Sequence, residues 1–208
     1  MLKRNNLISK IYDANIMAVA RANPERTLQI AQACLEGGVK VIEVSFTVPT
    51  AIEAIRTIKK KLPEMIVCAG TVLDETTARL AILEGVSLVL SPSYSRKVAK
   101  ICNLYQVPYA PGCNTISEMI DALKYGAAFI KVFPGSALNG PEGIKTIKAP
   151  VPDLPILVSG GATLSNYADF LEVGADCVSF GSALNGSQQK IIKNAKRLVE
   201  VLNGYRKN

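Results

Sequence analysis

A single lysine interrupts an apolar, strand-like run, Ala127-Ala128-Phe129-Ile130-Lys131-Val132-Phe133-Pro134-Gly135. Desolvation penalises an ammonium ion, so a lysine held among apolar neighbours tends toward the neutral, nucleophilic amine that Schiff-base enzymes use. Strand alternation puts Phe129, Lys131 and Phe133 on one face and Ile130 and Val132 on the other. Taken alone, Lys131 is equally compatible with a side chain that snorkels to solvent from a strand end. Glu43 follows the same logic in Val41-Ile42-Glu43-Val44-Ser45, where it shares a face with Val41 and Ser45. A carboxylate in an apolar interior is costly unless paired, and Lys131 is an available partner. A buried bridge without chemistry is the competing reading. It leaves unexplained two small-residue segments, Ser159-Gly160-Gly161-Ala162-Thr163 and Phe180-Gly181-Ser182, whose glycines allow backbone N–H groups to approach an anion closely.

Composition removes more hypotheses than it adds. The 208 residues include no histidine, which excludes Ser-His-Asp and Cys-His hydrolases, His-ligated zinc and His general bases. Proton transfer falls to Glu, Asp, Lys, Tyr, Cys or water. Cys34, Cys68, Cys102, Cys113 and Cys177 are scattered and never in C-x-x-C spacing; this disfavours a disulfide framework or a thiolate zinc site and fits a reducing cytoplasm. An apolar content of 49% with 20% charged residues reads as one globular domain over residues 1–208. No signal-peptide pattern and no membrane-length apolar run is evident. The net charge of +7 resides largely in Lys190, Lys193, Lys196, Arg197, Arg206 and Lys207, a solvated helix face and tail without any nucleic-acid-binding motif. A modest positive field favours a small anionic substrate.

The elements that position these residues form a weak repeat, a glycine followed by a β-rich run. It occurs at Gly37, Gly85, Gly126 and Gly174, spaced 48, 41 and 48 residues apart. Each of these glycines is expected to supply the left-handed cap of a helix. Proline-led runs lie between them, at Pro63, Pro108 and Pro155, so each repeat holds two strand-helix units. With the run from Ile16 to Ala20 this makes eight strands, and helices are predicted at 24–37, 50–61, 74–84, 95–105, 116–125, 140–148, 165–173 and 187–203. An extra helix over 2–13 would cover the bottom. Eight β/α alternations point to a closed (β/α)8 TIM barrel, an α/β fold whose active sites form where strands end. Arg21, Glu43 to Thr47, Gly70-Thr71, Ser91-Pro92, Pro111-Gly112, Lys131, Ser159 to Gly161 and Gly181-Ser182 all fall at that end. The last two loops occupy the units from which such barrels build phosphate sites.

Together, Gly37-Gly38-x4-Glu43-Val44, Ala69-Gly70-Thr71-Val72, Ser91-Pro92, Pro111-Gly112, Ile130-Lys131-Val132-Phe133-Pro134 and Gly160-Gly161 resemble, in order and spacing, the class I 2-keto-3-deoxy-6-phosphogluconate (KDPG) aldolases. That family overlaps with the 2-keto-4-hydroxyglutarate (KHG) aldolases, and the resemblance spans about residues 10–200. It implies cleavage of KDPG to pyruvate and glyceraldehyde 3-phosphate without metal or cofactor, in a homotrimer. Lys131 matches the Schiff-base lysine and Glu43 the proton-transferring carboxylate. Thr71 and Pro92 match residues around the pyruvyl group, Phe133 an aromatic beside the lysine, and Gly160, Gly161 and Ser182 the phosphate site, to which Gly181 is adjacent. Ser159 stands where many relatives have threonine. Some relatives place an arginine for the substrate carboxylate where this chain has Thr47, so Arg21, on the same face of its strand as Met17 and Val19, is the candidate to replace it. The galactonate epimer, unphosphorylated 4-hydroxy-2-oxoglutarate and a non-catalytic phosphate-binding barrel are the alternatives.

Overall fold

Helix starts are written into the chain as caps. In a computed structural model, which describes residues 2–207, the side chain of Asn23 accepts from Arg26 N ahead of Pro24, Asp74 from Thr77 N, Ser95 from Val98 N and Ser187 from Lys190 N. Such caps satisfy N–H groups that the first helical turn leaves free. The resulting elements are α1 (Lys3–Ala14), β1 (Ile16–Ala20), α2 (Pro24–Glu36), β2 (Val41–Ser45), α3 (Ala51–Lys61), β3 (Ile66–Gly70), α4 (Glu75–Leu83), β4 (Val89–Leu90), α5 (Arg96–Leu104), β5 (Tyr109–Ala110), α6 (Ile116–Lys124), β6 (Ile130–Val132), α7 (Gly140–Lys148), β7 (Ile156–Ser159), α8 (Tyr167–Glu172), β8 (Cys177–Phe180) and α9 (Gln188–Tyr205). The predicted helices all form, with ends displaced by at most two residues.

The strands are parallel and hydrogen-bonded in the order β5-β4-β3-β2-β1-β8-β7-β6. The circle closes through Lys131 itself, whose N donates to Pro111 O at 2.8 Å and whose O accepts from Cys113 N at 3.0 Å, in a parallel bridge with Gly112. This is the predicted (β/α)8 TIM barrel, and the lysine's main chain is part of its seam.

Strand alternation divides the apolar residues into two cores. Ile16, Ala18, Ile42, Val44, Ile130, Val132, Ile156, Val158, Val178 and Phe180 face outward against the helices. Met17, Val41, Cys68, Leu90, Phe129, Leu157 and Cys177 face inward and form a floor, which Ile11 of α1 plugs from below with Ile8 and Ala14 beside it. The expected bottom helix therefore does cover the barrel. Among the described residues no helix is long and apolar enough to cross a membrane.

One glycine assignment needs correction. Gly85, Gly126 and Gly174 have φ of +73°, +79° and +83°, but at the first position it is Gly38, at +90°, that adopts the left-handed conformation. Gly37 is αR, and its lack of a side chain serves another purpose: a Cβ there would lie 2.3 Å from the Cβ of Ala195. The close approach of α9 to the end of α2 requires this glycine, a long-range constraint that local helix-capping rules do not contain.

The cap of α6 carries a pH dependence. Glu118 accepts from Asn114 N, Thr115 N and the Thr115 hydroxyl, and these bonds hold its carboxyl below the ordinary glutamate value. Its stabilisation is therefore fully present above the unfolded pKa of about 4.3 and is lost as pH falls through the lower folded value. Glu118→Ala should cost roughly 1 kcal/mol at neutral pH. Denaturant titrations of both proteins across pH check this, since the difference should shrink on acidification; a pH-independent difference contradicts it.

Candidate active site

Above the apolar floor lie the next inward positions on the strands, which frame the candidate site. They are Val19 on β1, Glu43 on β2, Gly70 on β3, Lys131 on β6, Ser159 on β7 and Ser179 on β8. Lys131 is 4% exposed and Glu43 1%, and Lys131 Nζ lies 3.8 Å from Glu43 Oε2. That separation exceeds the 2.7–2.9 Å or so of a charge-assisted hydrogen bond. Glu43 Oε2 has no hydrogen-bond partner among the described residues. A pair serving only as a buried bridge needs close geometry to offset the desolvation of both charges; this pair faces across a gap. Lys131 Nζ also sits 5.2 Å from the centre of the Phe133 ring.

Glycine makes the space for the carboxylate. A Cβ on Gly70 would fall 1.9 Å from Glu43 Oε1, so any side chain at this position would displace it. Gly112 has a parallel role, since a Cβ there would lie 2.1 Å from Pro92 O. The Ser91-Pro92 and Pro111-Gly112 segments thus abut one another at the ends of β4 and β5. Pro92 is half-buried at that contact.

Beside Glu43 a hydroxyl cluster forms. Ser45 Oγ, fully buried, lies 3.0 Å from both Thr47 Oγ1 and Thr71 Oγ1. Thr71 has φ of +58°, an uncommon backbone for a β-branched residue, and the Ser45 contact links it to the end of β2. The neighbouring thiols are not rival nucleophiles. Burial pushes the Cys68 and Cys177 thiols well up, and it lifts that of Cys113 to about 12, so these groups stay protonated and serve as small apolar fillers.

A cavity of about 280 Å³ opens at the mouth, bordered by Arg21, Phe133, Ser159, Gly160 and Gly181. The sequence had pointed to all five. Val19, Ser179 and Asn185 also border it and had not been anticipated. Ser179 was detectable, because period two places it on the same face as Cys177; Asn185, in the loop after β8, carried no comparable signal. Gly160 and Gly161 have φ of +79° and +88°, and the loop they form packs against the one after β6: a Cβ on Gly161 would lie 2.7 Å from the Cβ of Ser136. Gly161 does not border the cavity. Ser182 borders a neighbouring hollow with Thr163 and Lys190.

A buried lysine facing a carboxylate at the strand ends, beside a small-residue mouth, can be compared with known proteins. The family model for KDPG and KHG aldolases matches residues 7–201. The chain belongs to the KDPG and KHG aldolase family. Within that family it is 32% identical over 183 residues to the KHG/KDPG aldolase of Escherichia coli strain K12, covering 85% of this chain and 86% of that one. A native KDPGal structure superposes with a TM-score of 0.86 at 27% identity, covering 93% of this chain and 96% of that one. The KDPG aldolase of Legionella pneumophila, solved with pyruvate captured as a covalent carbinolamine intermediate, gives a TM-score of 0.80 at 25% identity over 93% and 95% of the two chains. Members of the aldolase family are lyases, and this chain is a family member along nearly its whole length.

Proposed function

We propose that the protein is a metal-independent class I aldolase that cleaves KDPG to pyruvate and glyceraldehyde 3-phosphate, and that it also cleaves 4-hydroxy-2-oxoglutarate to pyruvate and glyoxylate. The observation that carries this reading is the buried Lys131 facing Glu43 across 3.8 Å. In its neutral form the Lys131 amine adds to the C2 ketone to give a carbinolamine, and a proton delivered by the Glu43 carboxyl, directly or through water, lets the hydroxyl leave as water and gives a protonated imine, with Glu43 left as the carboxylate. The imine withdraws electrons as the C3–C4 bond breaks, so that an enamine forms instead of a free carbanion. Glu43 accepts the C4 hydroxyl proton, so the C4 oxygen leaves as the aldehyde, and the carboxyl then helps to protonate the enamine carbon, directly or through water. Hydrolysis of the resulting imine releases pyruvate. The carbinolamine captured in the Legionella pneumophila relative supports this chemistry, since an amine and a keto group form that adduct.

Thr71 and Pro92 lie on the pyruvyl side, and Phe133 shields the lysine. Ser159 and the backbone at Gly160, Gly161, Gly181 and Ser182 receive the phosphorylated end. Arg21, which borders the cavity and has no ion-pair partner among the described residues, supplies the guanidinium for the substrate carboxylate, and Thr47 adds a hydroxyl. Arg21→Ala should raise KM for KDPG about tenfold or more with a smaller change in kcat; an unmoved KM rejects this role for Arg21.

The experiment that tests the main reading is incubation with pyruvate, reduction with borohydride and measurement of intact mass. A covalent adduct at Lys131 is expected, and its absence rejects the Schiff-base mechanism. Similarity to the KDPGal structure favours a second reading in which the galactonate epimer is the better substrate. The ratio of kcat/KM for the two epimers decides between them.

A further inference from the structure

One buried hydroxyl bordering the cavity lacks a partner. Ser179 is 3% exposed, and its Oγ makes no hydrogen bond among the described residues. Alternation along β8 turns it inward: Cys177 belongs to the floor, whereas Val178 and Phe180 pack outward. Its in-register neighbours are Ser159 on β7 and Met17 on β1, and it borders the same cavity as Ser159, Gly160 and Gly181. Burying a hydroxyl without a partner is unfavourable, and an alanine here would avoid that cost. A serine in this place fits a ligand group that completes its hydrogen bonding, reached by rotation about its one heavy-atom side-chain torsion.

The position of Ser179 specifies which group. This inference rests on the aldolase reading, in which substrate C2 is tied to Lys131 on β6 and the C4 oxygen faces Glu43 on β2. The phosphate then lies at the loops after β7 and β8. Because β8 stands between β7 and β1, Ser179 flanks the stretch of substrate between the reacting carbons and the phosphate. The C4 oxygen is committed to proton transfer, which leaves the C5 hydroxyl, the 2-hydroxyl of glyceraldehyde 3-phosphate. We propose that Ser179 is a specificity-determining residue that hydrogen-bonds this hydroxyl and so selects phosphorylated 2-hydroxyaldehydes over their 2-deoxy counterparts.

The test is aldol addition of pyruvate to D-glyceraldehyde 3-phosphate and to 3-phosphooxypropanal, which keeps the aldehyde and phosphate but lacks the 2-hydroxyl. The wild-type protein should prefer the hydroxylated acceptor. In Ser179→Ala, kcat/KM for that acceptor should fall by roughly 5- to 20-fold, the preference should move toward parity through that acceptor alone, and Tm should stay level or rise as the unpartnered hydroxyl is removed. Equal losses on both acceptors, or an unaltered preference, overturn the assignment. If wild-type protein forms no reducible adduct with pyruvate, the aldolase reading fails and this inference falls with it. If the adduct forms and the acceptor preference does not move, the Ser179 assignment alone fails.

Discussion

Replacing Lys131 with alanine should eliminate the borohydride-reducible pyruvate adduct and lower kcat/KM for KDPG cleavage by at least roughly 10⁴-fold. The size of the effect follows from the mechanism: without the amine no protonated imine forms, and C3–C4 cleavage would have to pass through an unstabilised carbanion. Lys131 is the buried amine of the site, and the neighbouring thiols are held protonated by burial, so no nearby side chain replaces it. The substitution also removes the amine that faces the buried Glu43 and leaves a cavity, which lowers stability. Activity should therefore be measured below the variant's lowered melting point, with circular dichroism confirming that it is folded. An adduct of undiminished yield in folded Lys131→Ala protein would exclude Lys131 as the nucleophile.

Glu43→Gln is expected to have the second-largest effect, a loss of roughly 10²- to 10⁴-fold in kcat. The amide keeps the shape of the side chain and its fit beside Gly70, but it cannot take up the C4 hydroxyl proton. The same group is assigned to protonation of the enamine, so exchange of the pyruvate methyl protons with deuterated water should slow in parallel with cleavage. NMR in deuterated buffer reads that exchange directly. If cleavage slows while exchange proceeds at the wild-type rate, Glu43 does not carry both protons. If neither changes, the pair is a structural contact.

The backbone architecture was legible because local rules suffice for it. Glycine and proline punctuate the chain, and inward and outward residues alternate strictly along every strand. Those rules also placed Lys131 and Glu43 inside the barrel, since each needs only its own strand's periodicity. What escaped the sequence depends on approach between distant segments. Gly37 does end α2 but was read as a left-handed cap, whereas it is αR and its missing side chain makes room for Ala195, far along the chain, and the carboxylate beside Gly70 belongs to another strand. Gly161 and Ser182 sit in the anticipated loops, but whether a loop residue borders the cavity depends on how that loop folds against its neighbour. Asn185 shows the converse, a cavity residue with nothing in its local pattern to distinguish it.

Ile11 seals the lower end of the barrel, and that plug governs traffic. Among the described residues, the cavity beside Ser159 and Gly160 opens at the strand ends, and on the aldolase reading that is where substrate enters. Lys131 stands one layer above the floor of Phe129 and Leu157, so in the proposed reaction the fragment bonded to the lysine would occupy the innermost berth and the aldehyde would lie between it and the exit. On the proposed mechanism, departure would follow the reverse of arrival: the aldehyde clears the passage first, water takes its place, and the keto acid leaves last.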